Sequence, residues 1–242
     1  MDSPRTAALV GTTGGAGTTR LCLEVGAALA VDGRDVLVLD ADYDAQGLAR
    51  HVDDDLPVDA TALLTDPETD LADATRDYPL DAPGRLALVP SHAPFVRVAA
   101  AKTADAAAEL ECALADALTA FDHVLVDTPP VASNPAVAAV TAAHRVALVF
   151  PGTPRGTDAT ARARGRLADV AADADLLVAT RTTEDAAPPD ADRVIPDAPD
   201  APVAGGGALS LAAGRVAESL FDVDLALDES TSRFDSLRAK LS

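Results

Sequence analysis

Six short stretches of uninterrupted apolar residues, separated by longer helical patterns, constrain this chain more than any other feature. They are Ala7-Ala8-Leu9-Val10, Val36-Leu37-Val38-Leu39, Leu86-Ala87-Leu88-Val89, Val124-Leu125-Val126, Val146-Ala147-Leu148-Val149-Phe150 and Leu176-Leu177-Val178. A weaker seventh is Val194-Ile195. Continuous rather than alternating apolarity marks strands covered on both faces, which means a parallel sheet with helices on each side. The intervening segments supply those helices. They are expected at 18–31, ended by Gly33, at 104–120, at 158–173 and at 208–221. Leu110, Leu114 and Leu118 form one stripe of the second. Asn134-Pro135 has the pattern of an N-cap followed by proline at the first helical position. The predicted fold class is α/β, a doubly wound, mostly parallel sheet flanked by helices. The stretches 182–192 and 197–207, rich in Asp, Pro, Ala and Gly, read as surface loops.

The 242 residues suit one such domain, and 48% apolar residues give it a core. With 3% aromatic residues, that core must be built from Ala, Val and Leu. The formal net charge is −20, and Lys102 and Lys240 are the sole lysines. Abundant Asp and Ala with scarce Lys point to a halophilic, archaeal host, because at ~1 M salt the screening length falls to roughly 3 Å and self-repulsion becomes tolerable. A surface this acidic argues against general DNA binding. Cys22 and Cys112, 90 positions apart, form neither a disulfide framework nor a metal-ligand spacing. No apolar run reaches the length of a membrane span, and the N-terminus has no signal pattern, so a cytoplasmic location is expected.

Chemistry concentrates after the first apolar stretch, at Gly11-Thr12-Thr13-Gly14-Gly15-Ala16-Gly17-Thr18-Thr19. Strand, glycine-rich turn and helix together form an arrangement in which backbone N–H groups cradle phosphate at a helix N-terminus. Two further strands end in carboxylates, at Asp40-Ala41-Asp42 and at Asp127-Thr128-Pro129-Pro130. Carboxyl ends of parallel strands are where open α/β sheets bind ligands.

The loop Thr13 to Thr19 resembles the deviant Walker A loop of MinD/ParA-type P-loop ATPases (the SIMIBI class), which reads K-G-G-x-G-K-T. The two acidic strand ends are similar to that family's downstream motifs, and the resemblance covers about nine tenths of the chain. It implies ATP or ADP as ligand, held by Gly14, Gly15, Ala16, Gly17, Thr18 and Thr19. It implies Mg²⁺ held by Thr19, Asp40 and Asp127, partly through water, and a water positioned by Asp42. Mg²⁺ suits these oxygen ligands.

The chain departs from the pattern at both lysines, replaced by Thr13 and Thr18. A short neutral side chain at Thr18 supplies no charge to a phosphoryl transition state, so the chain reads as a degenerate member with weak or absent hydrolysis. Arg20, rotated roughly 200° from Thr18 along the helix, should point away from the phosphates. Arg155 reads as a solvent-exposed residue at a helix start. Thr180-Arg181 stands where the family often places an asparagine that reads adenine.

The resemblance implies a spatial regulator of cell division, motility or polar assembly, with protein partners and a nucleotide-dependent homodimer. The alternative is a scaffold that binds partners without nucleotide. Ligases on this fold need the missing lysine, and the cysteines are misplaced for an iron–sulfur cluster. Two regions are expected: 1–221 as the P-loop domain, and 222–242 as an acidic linker with a short basic tail. In that tail Phe234, Leu237 and Leu241 share one helical face beside Arg233, Arg238 and Lys240, a pattern for weak peripheral membrane association through 231–242.

Overall fold

The computed structural model describes residues 3–52, 56–198, 203 and 207–226. The amphipathic pattern at 231–242 lies outside the described residues.

Eight strands form one sheet. They are β1 (Thr6–Gly11), β2 (Val36–Asp40), β3 (Arg76–Asp77), β4 (Leu86–Val89), β5 (His123–Thr128), β6 (Arg145–Pro151), β7 (Leu176–Thr180) and β8 (Arg193–Ile195). Their spatial order is β3-β4-β2-β5-β1-β6-β7-β8. All neighbouring pairs are parallel except β3 with β4. The helices are α1 (Thr18–Val31), α2 (Ala60–Leu63), α3 (Leu71–Ala74), α4 (Phe95–Ala101), α5 (Ala104–Ala120), α6 (Asn134–Ala142), α7 (Pro154–Asp169) and α8 (Ala208–Phe221).

Alternate residues of each strand feed opposite layers, as the period of two requires. Ala7, Leu9, Val36, Val38, Leu125 and Val149 pack with the side chains of α1 and α8. On the other face, Leu37, Leu39, Val124 and Val126 meet α5, with Leu110, Leu114 and Ala117 buried in the contact. Ala8, Val10, Leu148 and Phe150 meet the buried side of α7 through Ala163 and Leu167. These strands are fully covered on both sides, and that is why their sequence is continuously apolar.

The seven expected strands are present, and the eighth, β3, pairs antiparallel at the edge. The helix expected at 158–173 runs instead from Pro154 to Asp169. Thr153 starts it early, because its side chain accepts from the Gly156 N–H and proline follows at the first helical position. Ser133 rather than Asn134 occupies the N-cap of α6, and the Asn134 amide donates to the Lys102 carbonyl at 3.0 Å. Beyond α8, Val223 and Leu225 still rest against the α1/α8 layer, and the Ala226 N–H donates to Asp32 at 3.3 Å. The segment expected to be a linker therefore begins packed.

Candidate phosphate and metal site

β1 delivers the glycine-rich loop to the C-terminal edge of the sheet, at the point where the chain turns to either side of β1 to form β5 and β6. This is the switch-point crevice of an open α/β sheet. The loop is anchored at both ends. The Thr12 N–H donates to the Val149 carbonyl at 2.9 Å, and the Ala16 N–H donates to the Thr13 carbonyl at 3.2 Å. Gly15 and Gly17 have φ of 73° and 89°, a region a β-carbon disfavours, so glycine is required at both.

Gly17 is the N-cap of α1 and no side chain caps the helix. The first i→i−4 bond runs from Leu21 to Gly17. The N–H groups of Gly14, Gly15, Gly17, Thr18, Thr19 and Arg20 have no acceptor among the described residues. Those donors, together with the positive end of a 14-residue helix, form an anion cradle. The Thr12 hydroxyl, in the same loop, is buried and has no partner among the described residues.

Thr18, in place of the family's lysine, offers a short neutral side chain. It is 9% exposed, and its hydroxyl lies close to the end of β1, where a β-carbon on Gly11 would come within 2.7 Å of it. Thr19 faces the acidic strand ends, and its hydroxyl donates to Asp127 at 2.5 Å.

Asp40 and Asp127 are direct register partners across β2 and β5, at 0% and 2% exposure. Burial, and for Asp40 the neighbouring Asp127, raises both carboxyls above the usual carboxylate range, Asp127 to about 7. A buried like-charged pair of this kind is relieved by a cation. Two carboxylates, a hydroxyl and phosphate oxygens match the way Mg²⁺ is commonly held, with waters completing the octahedron. The residues present therefore fit the metal.

Asp40 also organises the following loop, accepting from the N–H of Asp42 at 2.9 Å and of Leu48 at 3.4 Å. Asp42 lies on that loop, half-buried, and accepts from the Ala45 N–H at 3.2 Å. Its carboxyl is raised, first by burial.

Three contributors were not apparent in the sequence pattern. Gly47 lies so close to Thr19 that a β-carbon there would fall 2.7 Å from the Thr19 hydroxyl. Gln46 clamps the segment, donating to the Ala93 carbonyl at 2.9 Å and accepting from the Ala93 N–H at 3.3 Å. Thr180 donates to the Ala16 carbonyl at 2.7 Å and thereby braces the loop.

Neither arginine weighed as a lysine substitute reaches the cradle. Arg20 runs along α1 to Glu24, Nε to Oε1 at 2.7 Å, and Arg155 is exposed on the first turn of α7.

Residues 4–157 match the AAA_31 family model, described as an AAA domain. Among solved structures, the septum site-determining protein MinD of Pyrococcus horikoshii, complexed with Mg-ADP, is 21% identical and aligns with a TM-score of 0.67 over 81% of this chain and 82% of that one. Cobyrinic acid a,c-diamide synthase of Mycobacterium smegmatis, with bound ADP and magnesium, is 23% identical, with a TM-score of 0.66 over 89% and 93%. A single-substitution variant of Cyanothece McdA in complex with ATP is 19% identical, with a TM-score of 0.61 over 81% and 83%. No curated protein matches the sequence.

Proposed function

We propose, for a chain that belongs to the AAA_31 family and to its MinD/ParA-type P-loop ATPases, that it is a nucleotide-binding switch with little or no hydrolysis. The observation that carries this reading is the set of N–H groups of Gly14, Gly15 and Gly17 through Arg20 that have no acceptor among the described residues, beside a buried carboxylate pair. The amides bind the phosphates of a nucleotide. Mg²⁺, held by Thr19, Asp40 and Asp127, neutralises phosphate charge when bound. Those two contributions need no lysine, so binding survives its loss.

Hydrolysis does not survive it to the same degree. Transition-state charge on the transferred phosphoryl calls for a fixed cation. Thr18 is neutral, short and buried, and Arg20 is paired with Glu24. Asp42 remains able to position water, but its lone contribution is small without charge stabilisation. The MinD and McdA likenesses support a role in spatial positioning. In that role nucleotide favours a homodimer, and the dimer is what protein partners bind.

Isothermal titration with Mg-nucleotide tests binding, with sedimentation in its presence and absence for the dimer. For hydrolysis, Thr18→Lys is expected to raise turnover by ~10²-fold over the natural chain. Natural-chain turnover equal to that of Thr18→Lys overturns the impaired-hydrolysis claim. Absence of nucleotide binding leaves the alternative, a scaffold that binds partners without nucleotide.

A further inference from the structure

Among the described residues, Phe95 and Val96 carry the most exposed large apolar side chains, at 83% and 80%. They are neighbours at the start of α4, whose Val98 and Ala101 turn into the core. Side by side they form a patch rather than scattered exposure. The tip is held from the carboxyl edge of the sheet. The Ser91 hydroxyl donates to the Asp40 carbonyl at 3.0 Å, and the N–H and carbonyl of Ala93 are both held by Gln46. Phe95 thus follows, by two residues, a clamp on the loop that carries Asp42. β4, which leads into α4, stands three strands from β1, roughly 14 Å at the usual strand spacing. The apolar tip and the anion cradle therefore share one edge of the molecule.

Charge says what can cover the tip. The chain carries −20, so two copies repel one another over most of their surface. Around the tip that excess is missing. Between Asp81 and Asp105 there is no carboxylate, and Arg85, Arg97 and Lys102 fall in this stretch. At the far end of α4, Lys102 Nζ meets both carboxylate oxygens of Asp44 at 2.6 and 2.5 Å, with the two side chains 33% and 71% exposed. A patch with an apolar centre and one charge of each sign at its margin is complementary to itself, which is what a two-fold contact requires.

Resting on the nucleotide reading above, in which bound nucleotide favours a homodimer, we infer that Phe95 and Val96 are the apolar seam of that dimer. Across a two-fold axis they meet the same residues of a second copy, and Lys102 of each copy exchanges its own Asp44 for that of the other. The seam does not hold alone. A buried phenylalanine covers roughly 150–250 Å², and a specific interface needs ~1,000 Å² or more. The remaining area comes from the nucleotide-bearing edge beside the tip. The dimer therefore forms only when ligand orders that edge, and the Gln46 clamp carries the dependence to α4.

Sedimentation equilibrium of the full-length protein, with and without Mg-ATP, tests the seam. The natural chain is expected to dimerise with Mg-ATP only. Phe95→Ser combined with Val96→Ser, both at exposed positions, is expected to weaken the dimer at least ~10-fold, while Mg-ATP binding by the dilute, monomeric protein changes less than twofold. Lys102→Asp and Asp44→Lys are each expected to dimerise poorly. An equimolar mixture of those two should recover most of the natural strength, because the mixed dimer restores both ion pairs. Natural-strength dimerisation of the double serine variant overturns the inference, as does a mixture that associates no better than its components. Nucleotide binding without dimerisation of the natural chain overturns it too and leaves the nucleotide site standing. Failure of the natural chain to bind Mg-ATP overturns the nucleotide reading itself.

Discussion

The hydroxyl of Thr180 donates to the carbonyl of Ala16 across 164 positions of sequence, at 2.7 Å and out of contact with solvent. It joins the end of β7 to the centre of the phosphate loop. The loop is exposed at Gly14 and Gly15, so its shape depends on such anchors.

Thr180→Val keeps the volume and removes the donor. The Ala16 carbonyl is then left buried without its partner, at a cost of about 1 kcal/mol. Denaturant unfolding should show that loss, and titration with tripolyphosphate should show weaker binding, because the amides no longer start from a fixed arrangement. Unchanged phosphate affinity in a destabilised variant would mean that Thr180 serves the fold alone.

A second relationship sets a metal-dependent stability. The Asp127 carboxyl is raised to about 7 by burial, so the folded chain binds protons more tightly than the unfolded chain. Its contribution therefore falls as pH rises from about 4 to 7. Asp127→Asn removes that cost while its carbonyl oxygen still accepts from Thr19. The metal-free variant should melt several degrees higher than the natural chain at pH 8, corresponding to roughly 1–3 kcal/mol. Added Mg²⁺ with nucleotide should stabilise the natural chain but not the variant. Scanning calorimetry with and without Mg²⁺ measures both effects.

Gly47 tests the packing around the metal ligand. Its φ of −67° suits any residue, so backbone preference alone predicts that Gly47→Ala stabilises. Space predicts the reverse. The new β-carbon would meet the Thr19 hydroxyl at 2.7 Å and its Cγ2 at 3.3 Å, pushing the side chain off Asp127. A destabilisation of about 1–3 kcal/mol is expected, together with weaker Mg²⁺-dependent nucleotide binding. A variant more stable than the natural chain, with intact Mg²⁺ dependence, would show that Thr19 has room to yield.

The sheet was legible because burial on both faces leaves a local trace. β1, β2, β4, β5, β6 and β7 each carry an uninterrupted apolar run. β3 carries none, since Arg76 and Asp77 sit at an edge, and four-residue helices such as α2 and α3 are too short to show a period. The loop and the two acidic strand ends were legible for the same reason, each being contiguous in sequence. The parts that were not legible are relations between segments. Gly47 against Thr19, Gln46 against Ala93 and Thr180 against Ala16 depend on which loops the strand order brings together, and nothing in any one segment records that. The Arg20–Glu24 pair lies between these cases: the i,i+4 spacing allows it, but only the fold shows that Glu24 is buried and that the pair borders a cavity.

His123 gives the clearest pH dependence away from the candidate site. It begins β5, is 7% exposed and packs its ring 4.5 Å from that of Phe221. Its Nδ1 is buried and has no partner among the described residues. Burial and the nearby Arg34 and Arg5 lower its pKa to about 4, against a smaller upward pull from Asp122. The unfolded chain thus takes up a proton near pH 6.5 that the folded chain refuses until about pH 4. The stability tied to this residue is complete above pH 6.5 and is lost as pH falls towards 4. Between pH 7.5 and 4.5 the loss should be roughly 2–3 kcal/mol. His123→Phe keeps an aromatic ring against Phe221 and cannot titrate. Urea unfolding at the two pH values should therefore show the natural chain losing that much more stability than the variant. Equal losses would place the histidine in contact with water or with an acceptor that stabilises its charged form.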